Sequence, residues 1–273
     1  MKKIRKVNFV TVFALIILAV VILMVLFPAL FTSYDPLAVD MTKRLMEPCA
    51  EHILGTDEYG RDIFCRIVYG ARSSVSVGLG TAILSCLIGV PLGLVAGYYG
   101  GAVDNIIMRI MDAFQSFPSI LLAILLSTIF ETSILSLILT ISAVSFPRFA
   151  KLVRGNVLVI KKQDYVAAAR VAGVGQGYIL FNTILRNCMS VVVIQFSMLT
   201  ATAILIEAGM SFLGLGLEPP APAWGSMLFY ANKYVNSSIS YVLSPTFTIF
   251  LVVLSINLLG DALRDKLDPK KKN

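Results

Sequence analysis

The chain has 273 residues, of which 57% are hydrophobic and only 14% are Asp, Glu, Lys or Arg. Soluble domains carry about 25% charged residues, so the composition excludes an ordinary water-soluble enzyme and a disordered protein. The net charge of +7 is confined to a few segments, which argues against a partner that is a nucleic acid. One His and four Cys without CxxC spacing predict no metal site, although Cys49 and Cys65 share a loop and could pair.

Six apolar segments approach the roughly 20 residues that a bilayer span requires. The first, residues 9–31, follows a basic stretch at residues 1–8, and its length predicts a retained anchor rather than a cleaved signal peptide. The other five are predicted at residues 74–98, 107–130, 134–149, 191–213 and 243–259. We therefore expect an all-α membrane protein with six transmembrane helices.

The distribution of charge predicts how these helices are oriented. Residues 148–187 carry seven basic residues against one acidic residue, whereas residues 32–72 carry five basic and seven acidic residues. Because basic loops stay in the cytoplasm, both termini, including the basic tail at 270–273, are expected to be cytoplasmic, and residues 32–73 to form an extracytoplasmic loop. The expected location is a cell membrane.

The polar loop at residues 32–73 contains closely spaced charged residues between glycines that permit tight turns. Asp57, Arg61 and Asp62 can form an ion-pair network. This loop could be a folded cover over the helices or a docking surface for a partner protein. His52 is expected to make structural hydrogen bonds rather than to bind a metal.

The second span carries Gly89, Gly93 and Gly97 at every fourth position. Such a stripe of small residues lets two helices approach closely. We expect packing within this chain in preference to an interface with another subunit.

Acidic residues lie in or beside two of the spans. Asp104 and Asp112 share one helical face, where structural ion pairs within the chain are expected rather than contact with a partner protein. Glu207 lies inside a span, where a carboxylate is costly unless it is paired or hydrated. It could face a polar path through the bundle or be held by a structural partner.

Several kinds of catalytic chemistry find no support in the sequence. No Gly-Lys pair occurs, so the chain has no phosphate-binding loop of the GxxxxGK[ST] type. A GxSxG motif is missing as well, and a single His excludes HExxH. We expect no catalysis by this chain and no cofactor bound to it.

The segment at about 151–190 is polar, yet it predicts two short helices at residues 163–172 and 178–187, separated by glycines. Such a surface suits docking into a groove on a partner protein. A helix lying among lipid headgroups would show the same periodicity. Periodicity alone leaves both interpretations open.

This segment resembles the cytoplasmic coupling loop of ABC-importer permeases, the EAA motif. The matching residues are Ala168, Ala169, Gly173 and Leu185. Ala167 stands where the family usually has Glu, and Arg186 stands where it usually has Pro. These departures put a salt bridge at the first position and a kink at the second in doubt.

Four further stretches are similar to the second permease subunit of dipeptide/oligopeptide/nickel ABC importers. They lie at residues 52–62, 97–118, 207–225 and 257–265. The first reads H-x-L-G-T-D-x-x-G-R-D, and its residues are His52, Gly55, Thr56, Asp57, Gly60, Arg61 and Asp62. The resemblance runs in order from about residue 50 to 269.

The resemblance implies a type I importer permease of a bacterial inner or plasma membrane, with its transmembrane domain at residues 74–269. The implied partners are a second homologous permease, two cytoplasmic ABC ATPases that carry ATP and Mg, and an extracytoplasmic substrate-binding protein. The implied coupling residues are Asp164, Ala167, Ala168, Ala169, Arg170 and Gly173. Peptide is the expected cargo, with nickel or a metal chelate as the alternative. An intramembrane enzyme and a purely structural membrane subunit are the competing classes.

Overall fold

The computed structural model describes residues 9–267, and nine helices dominate that part of the chain. They are α1 (Phe9–Leu26), α2 (Ile63–Tyr99), α3 (Gly101–Gln115), α4 (Ser119–Ser127), α5 (Ile134–Ile160), α6 (Asp164–Val171), α7 (Gln176–Phe212), α8 (Trp224–Ala231) and α9 (Ile239–Leu267). The basic stretch at 1–8 and the tail at 270–273 lie outside the described residues.

Five helices are long and apolar enough to cross a membrane: α1, α2, α5, α7 and α9. The helices α3 and α4 together meet the same criterion but are bent by 85°, so the described residues hold up to six spans. The single helix predicted at 107–130 is therefore wrong in shape. Pro118 lacks a backbone N–H and disfavours a helical conformation of the preceding residue, so α3 ends at Gln115 and α4 restarts after the proline.

Four helices extend beyond the apolar segments that predicted them: α2, α5, α7 and α9. The helix α2 begins at Ile63, so residues 63–73 are helical rather than part of the predicted loop 32–73. Because α5 continues to Ile160 and α7 begins at Gln176, the predicted loop at 151–190 shrinks to residues 161–175 around α6. Hydropathy marks the part of a helix that suits lipid, whereas backbone hydrogen bonds continue the helix into polar surroundings.

The helix α2 packs along α5 through its glycine stripe. A Cβ atom on Gly89 would lie 2.6 Å from the carbonyl oxygen of Phe146, and one on Gly97 would lie 2.7 Å from Cβ of Val157. Only glycine permits so close an approach of the two helices. The stripe therefore serves packing within this chain, as expected.

The helix α1 lies at the edge of the bundle. Only 11% of its apolar window is buried, and its mean hydropathy is 3.3. Val21 packs in one cluster with Ile249 and Val252 of α9. The guanidinium of Arg72 donates two hydrogen bonds, of 3.1 and 3.2 Å, to the carbonyl oxygen of Val25. These contacts attach the second half of the first span to the bundle, and Ala14 in its first half is also buried.

Candidate functional site

The short helix α6 has one buried side and one exposed side. Val166 is fully buried, and Ala169 packs against the same hydrophobic cluster. The exposed side chains are Asp164, Tyr165, Ala167, Ala168, Arg170 and Val171. Since two of these are alanines, a partner could approach the backbone of α6 closely. The buried side holds the helix against the bundle.

Gly173 ends α6 in a left-handed turn with φ of +75°. Its N–H donates to the Arg170 carbonyl at 3.0 Å, and the N–H of Val174 donates to the Ala169 carbonyl at 3.1 Å. This pair of bonds is a Schellman motif, which satisfies carbonyls at the end of the helix. A Cβ at Gly173 would meet nothing within 4 Å, so the conformation alone requires glycine here.

Two cationic side chains connect the segment around α6 to the end of α2. The Lys161 ammonium donates a 2.6 Å hydrogen bond to the carbonyl oxygen of Gly97. The Arg170 guanidinium lies 5.5 Å from the ring centroid of Tyr98, within the range of a cation–π contact. Both contacts fall on the last turn of α2, where cations are favoured by the exposed carbonyls.

An ion pair fastens α3 to α5 near the same end of the bundle. Arg154 donates two hydrogen bonds to the carboxylate of Asp104, at 2.5 and 2.6 Å. The Lys151 ammonium lies 2.6 Å from Asp112. The predicted structural ion pairs of the two aspartates are thus present. Their partners are basic residues of α5 that lie some 40–50 positions further along the chain.

The two departures from the coupling motif have visible structural counterparts. Ala167 is exposed, so the absence of the usual Glu at this position leaves no buried group without its ion-pair partner. Arg186 lies within α7, just after a π-helical stretch at Ile179–Ile184. Because Arg, unlike Pro, has a backbone N–H, α7 continues as one helix from Gln176, and the predicted separate helix at 178–187 is wrong.

A buried ionic network holds the segment between α1 and α2. Asp57 is fully buried, accepts a 2.6 Å hydrogen bond from Nε of Arg61, and lies 3.4 Å from Nε of Arg66. The Tyr241 hydroxyl on α9 donates a 2.6 Å hydrogen bond to Glu58. These contacts bind the segment to α2 and α9. Residues 32–62 are called the outer cover below.

Asp62 closes the outer cover and begins α2. One carboxylate oxygen accepts a 2.6 Å hydrogen bond from the N–H of Cys65, which makes Asp62 the N-cap of the helix. The other oxygen lies 2.9 Å from Nδ1 of His52, which is 4% exposed. His52 therefore has the structural role expected from the sequence.

The remaining signature residues shape the backbone of the outer cover. Gly55 and Gly60 adopt φ of +81° and +72°. The Thr56 hydroxyl donates to the Lys43 carbonyl and accepts from the N–H of Met46 at 2.9 Å. Cys49 and Cys65 are both free thiols, so the structure contains no bridge between them.

Glu207 is 1% exposed and is held by hydroxyl groups. Ser211, one turn along α7, donates to it at 2.8 Å, and Ser74 of α2 lies 3.4 Å away. Ser74 also accepts a 3.1 Å hydrogen bond from the N–H of Trp224. Trp224 is fully buried and donates its Nε1–H to the Ile67 carbonyl.

An open hollow of about 610 Å³ lies between the end of α3 and the helices α5, α7 and α9. Its polar lining residues are Gln115, Arg148, Lys151, Gln195, Thr202 and Asn257. Glu207 does not line it. Sequence reasoning missed this hollow, because its residues come from four separate segments and form no motif.

Comparison with known proteins identifies the family. Residues 89–273 match the family described as binding-protein-dependent transport system inner membrane component. The chain is 42% identical over 272 residues to a dipeptide transport system permease protein of Alkalihalophilus pseudofirmus, covering 100% of this chain and 89% of that protein. It is 45% identical to a glutathione transport system permease protein of Pectobacterium atrosepticum, covering 83% and 75% of the two chains.

A solved structure supports the same architecture. The MetNI methionine ABC transporter, in a structure described as inward-facing, matches 74% of this chain and 96% of its own chain, with a TM-score of 0.62 and 18% identity. At that identity the match shows the fold alone, which is that of a type I importer permease. The chain belongs to the binding-protein-dependent transport system inner membrane components and is a multi-pass permease of an ABC importer in the bacterial inner membrane.

Proposed function

We propose that this chain forms one half of the translocation path of an ATP-driven peptide importer, beside a second permease of the same family. The relatives described above are named for transport of dipeptides and of glutathione. Those names favour peptide cargo over nickel or a metal chelate. ATP and Mg would bind to two separate ATPase subunits, since this sequence has no phosphate-binding loop.

The helix α6 is the proposed contact with the ATPases. The observation that carries this assignment is its two-sided structure, with Val166 fully buried and Val171 90% exposed. An exposed apolar side chain beside alanines suits a groove on a partner protein. The buried side prevents α6 from moving independently of the spans.

A displacement of α6 by the ATPases would be transmitted to the spans through the contacts already described. Arg170 transmits it to the end of α2 through Tyr98, and the buried core around Val166 transmits it to α5 and α7. The ion pair between Asp104 and Arg154 would make α3 move with α5. Rigid-body motion of this kind is one established route to alternating access.

The outer cover would meet the substrate-binding protein through its exposed side chains. Asp57, Arg61 and Asp62 are buried, so their charges serve the fold of the cover. Ile53 and Tyr59 are 66% and 43% exposed and are available to a partner. The two interpretations of this loop therefore apply to different residues within it.

Glu207 has a structural role in this proposal. Its partners Ser74 and Ser211 link α2 to α7, and Ser74 extends the link to Trp224. A carboxylate enclosed in this way is unavailable to a passing cargo.

The proposed function is tested with the whole complex in proteoliposomes. Permeases, ATPases and binding protein would be reconstituted, and labelled dipeptide and Ni²⁺ uptake would be measured with ATP inside or outside. We expect ATP-dependent dipeptide uptake that requires this chain. Nickel uptake without peptide uptake would overturn the cargo assignment. Uptake unchanged by omission of the chain would favour a purely structural subunit.

A further inference from the structure

We propose that Arg148 recognises the terminal carboxylate of the peptide as it passes through the hollow between α5, α7 and α9. This inference rests on the proposed function, because it assumes that a peptide travels along this side of the chain. It adds a specificity-determining residue that the motifs of the sequence did not indicate.

The first argument is the depth of the hollow within the bundle. Arg148 lies fourteen residues into α5, which is about 21 Å from the predicted outer end of the helix at 1.5 Å per residue. Thr202 lies ten residues before the end of α7, or about 15 Å from the same end. Since the hydrocarbon core is about 30 Å thick, the hollow begins near its middle and extends toward the predicted cytoplasmic side.

The second argument is charge. Among the described residues that line the hollow there are two basic side chains and no Asp or Glu. The charge of Lys151 is compensated, since its ammonium lies 2.6 Å from Asp112 and 2.5 Å from Gln115. Arg148 has no ion pair or side-chain hydrogen bond within residues 9–267. The hollow therefore offers one uncompensated guanidinium.

The third argument is that the protein holds Arg148 in place. Its neighbours Phe146, Pro147 and Phe149 are buried against the rest of the bundle, whereas Arg148 itself is exposed. A charged residue at this depth is costly unless it faces water or a partner. A guanidinium can donate two parallel hydrogen bonds to one carboxylate, which makes it well suited to a peptide terminus.

The opposite walls carry neutral polar groups. Gln195 of α7 and Asn257 of α9 line the hollow with amide side chains that can donate or accept. Such groups can bind the peptide bonds of any sequence without fixing the side chains of the cargo. One charge contact with several neutral contacts suits a path that must release its cargo as well as bind it.

The test compares a dipeptide with its C-terminal amide in the reconstituted complex. Both are supplied at concentrations that saturate the binding protein, so that the step inside the permease decides the rates. In Arg148→Gln we expect the preference for free dipeptide over amide to fall about tenfold, the effect of one charge-assisted hydrogen bond. Arg148→Lys should restore most of the preference, and the exposed control Arg109→Gln should leave it unchanged.

A second measurement does not depend on the binding protein. In Thr202→Cys, free dipeptide should slow thiol labelling at position 202, and the amide should not. Adding Arg148→Gln should abolish that protection. An unchanged preference in Arg148→Gln, or failure of both Arg148 variants to assemble, would overturn the role of Arg148. A parent complex that carries no dipeptide would instead refute the proposed function.

Discussion

Replacing Gly173 with Val should loosen the turn that ends α6 without altering any packing contact. Gly173 adopts φ of +75°, and a Cβ there would meet nothing within 4 Å. The cost is therefore one of backbone conformation, about 1–2 kcal/mol for an ordinary residue in the left-handed region and more for a β-branched one. Asn tolerates this region better, so the cost should rise from Gly through Asn and Ala to Val.

This cost should appear as faster hydrogen exchange at the turn. The amides of Gly173 and Val174 are bonded to the Arg170 and Ala169 carbonyls. If local opening becomes easier by about 2 kcal/mol, their protection should fall roughly 30-fold. Protection of α5 and α7 should be unchanged, and so should insertion into the membrane. Exchange measured by mass spectrometry on the assembled complex would report both regions.

The same series should reduce the number of peptides carried per ATP, in the order Asn, Ala, Val. Gly177→Val is a matched control, because Gly177 is exposed and has open space around it but does not have a positive φ. If Gly177→Val uncouples transport equally, added bulk rather than the turn is responsible. If Gly173→Val transports at the parental ratio with the ATPases bound, α6 is not the coupling element and a helix among lipid headgroups is the better interpretation.

Three further predictions concern other parts of the chain. Glu207→Gln should retain assembly and most transport, because an amide can still hydrogen-bond with the serines. Glu207→Leu should lower the yield of assembled complex. Loss of transport in a normally assembled Gln variant would contradict the structural role. Gly89→Ala should reduce stability by about 1–3 kcal/mol in thermal unfolding through overpacking against α5, while Gly155→Ala, which has open space, should not. In intact cells, and with the exposed native Cys49 replaced by Ser, an impermeant thiol reagent should label Ile53→Cys and spare Val171→Cys; the reverse pattern would refute the predicted orientation.

Hydropathy predicted the spans well but placed several of their ends wrongly. A window of apolar residues detects where a helix meets lipid, and it cannot detect the continuation of α2 back to Ile63 or of α5 on to Ile160. The bend before Pro118 was available from the local rules for proline, although the run of apolar residues concealed it. Hydropathy thus predicted the number of membrane crossings better than the shape of each helix.

The candidate sites also differ in how far the sequence predicted them. The coupling helix was predictable, because an alanine-rich stretch ending in glycine determines its own local structure. The partners of Glu207 were not, since Ser74 lies 133 positions earlier and a serine carries no pattern. Arg148 was likewise counted only as a charge of a cytoplasmic loop, and its place in a hollow depends on four helices that meet in space.

The peripheral position of α1 has a consequence for the order in which the protein is made. Val21 packs against Ile249, which lies 228 positions later in the sequence. At about 5–20 residues per second, the ribosome needs roughly 11–46 s to supply that partner. During this time α1 resides in lipid without its main neighbour, and its uncharged 18-residue sequence leaves no polar side chain exposed to hydrocarbon beyond a single Thr. The helix α9 supplies the main packing partner of α1. A nascent chain that lacks α9 would therefore leave this side of α1 open to pairing with another protein.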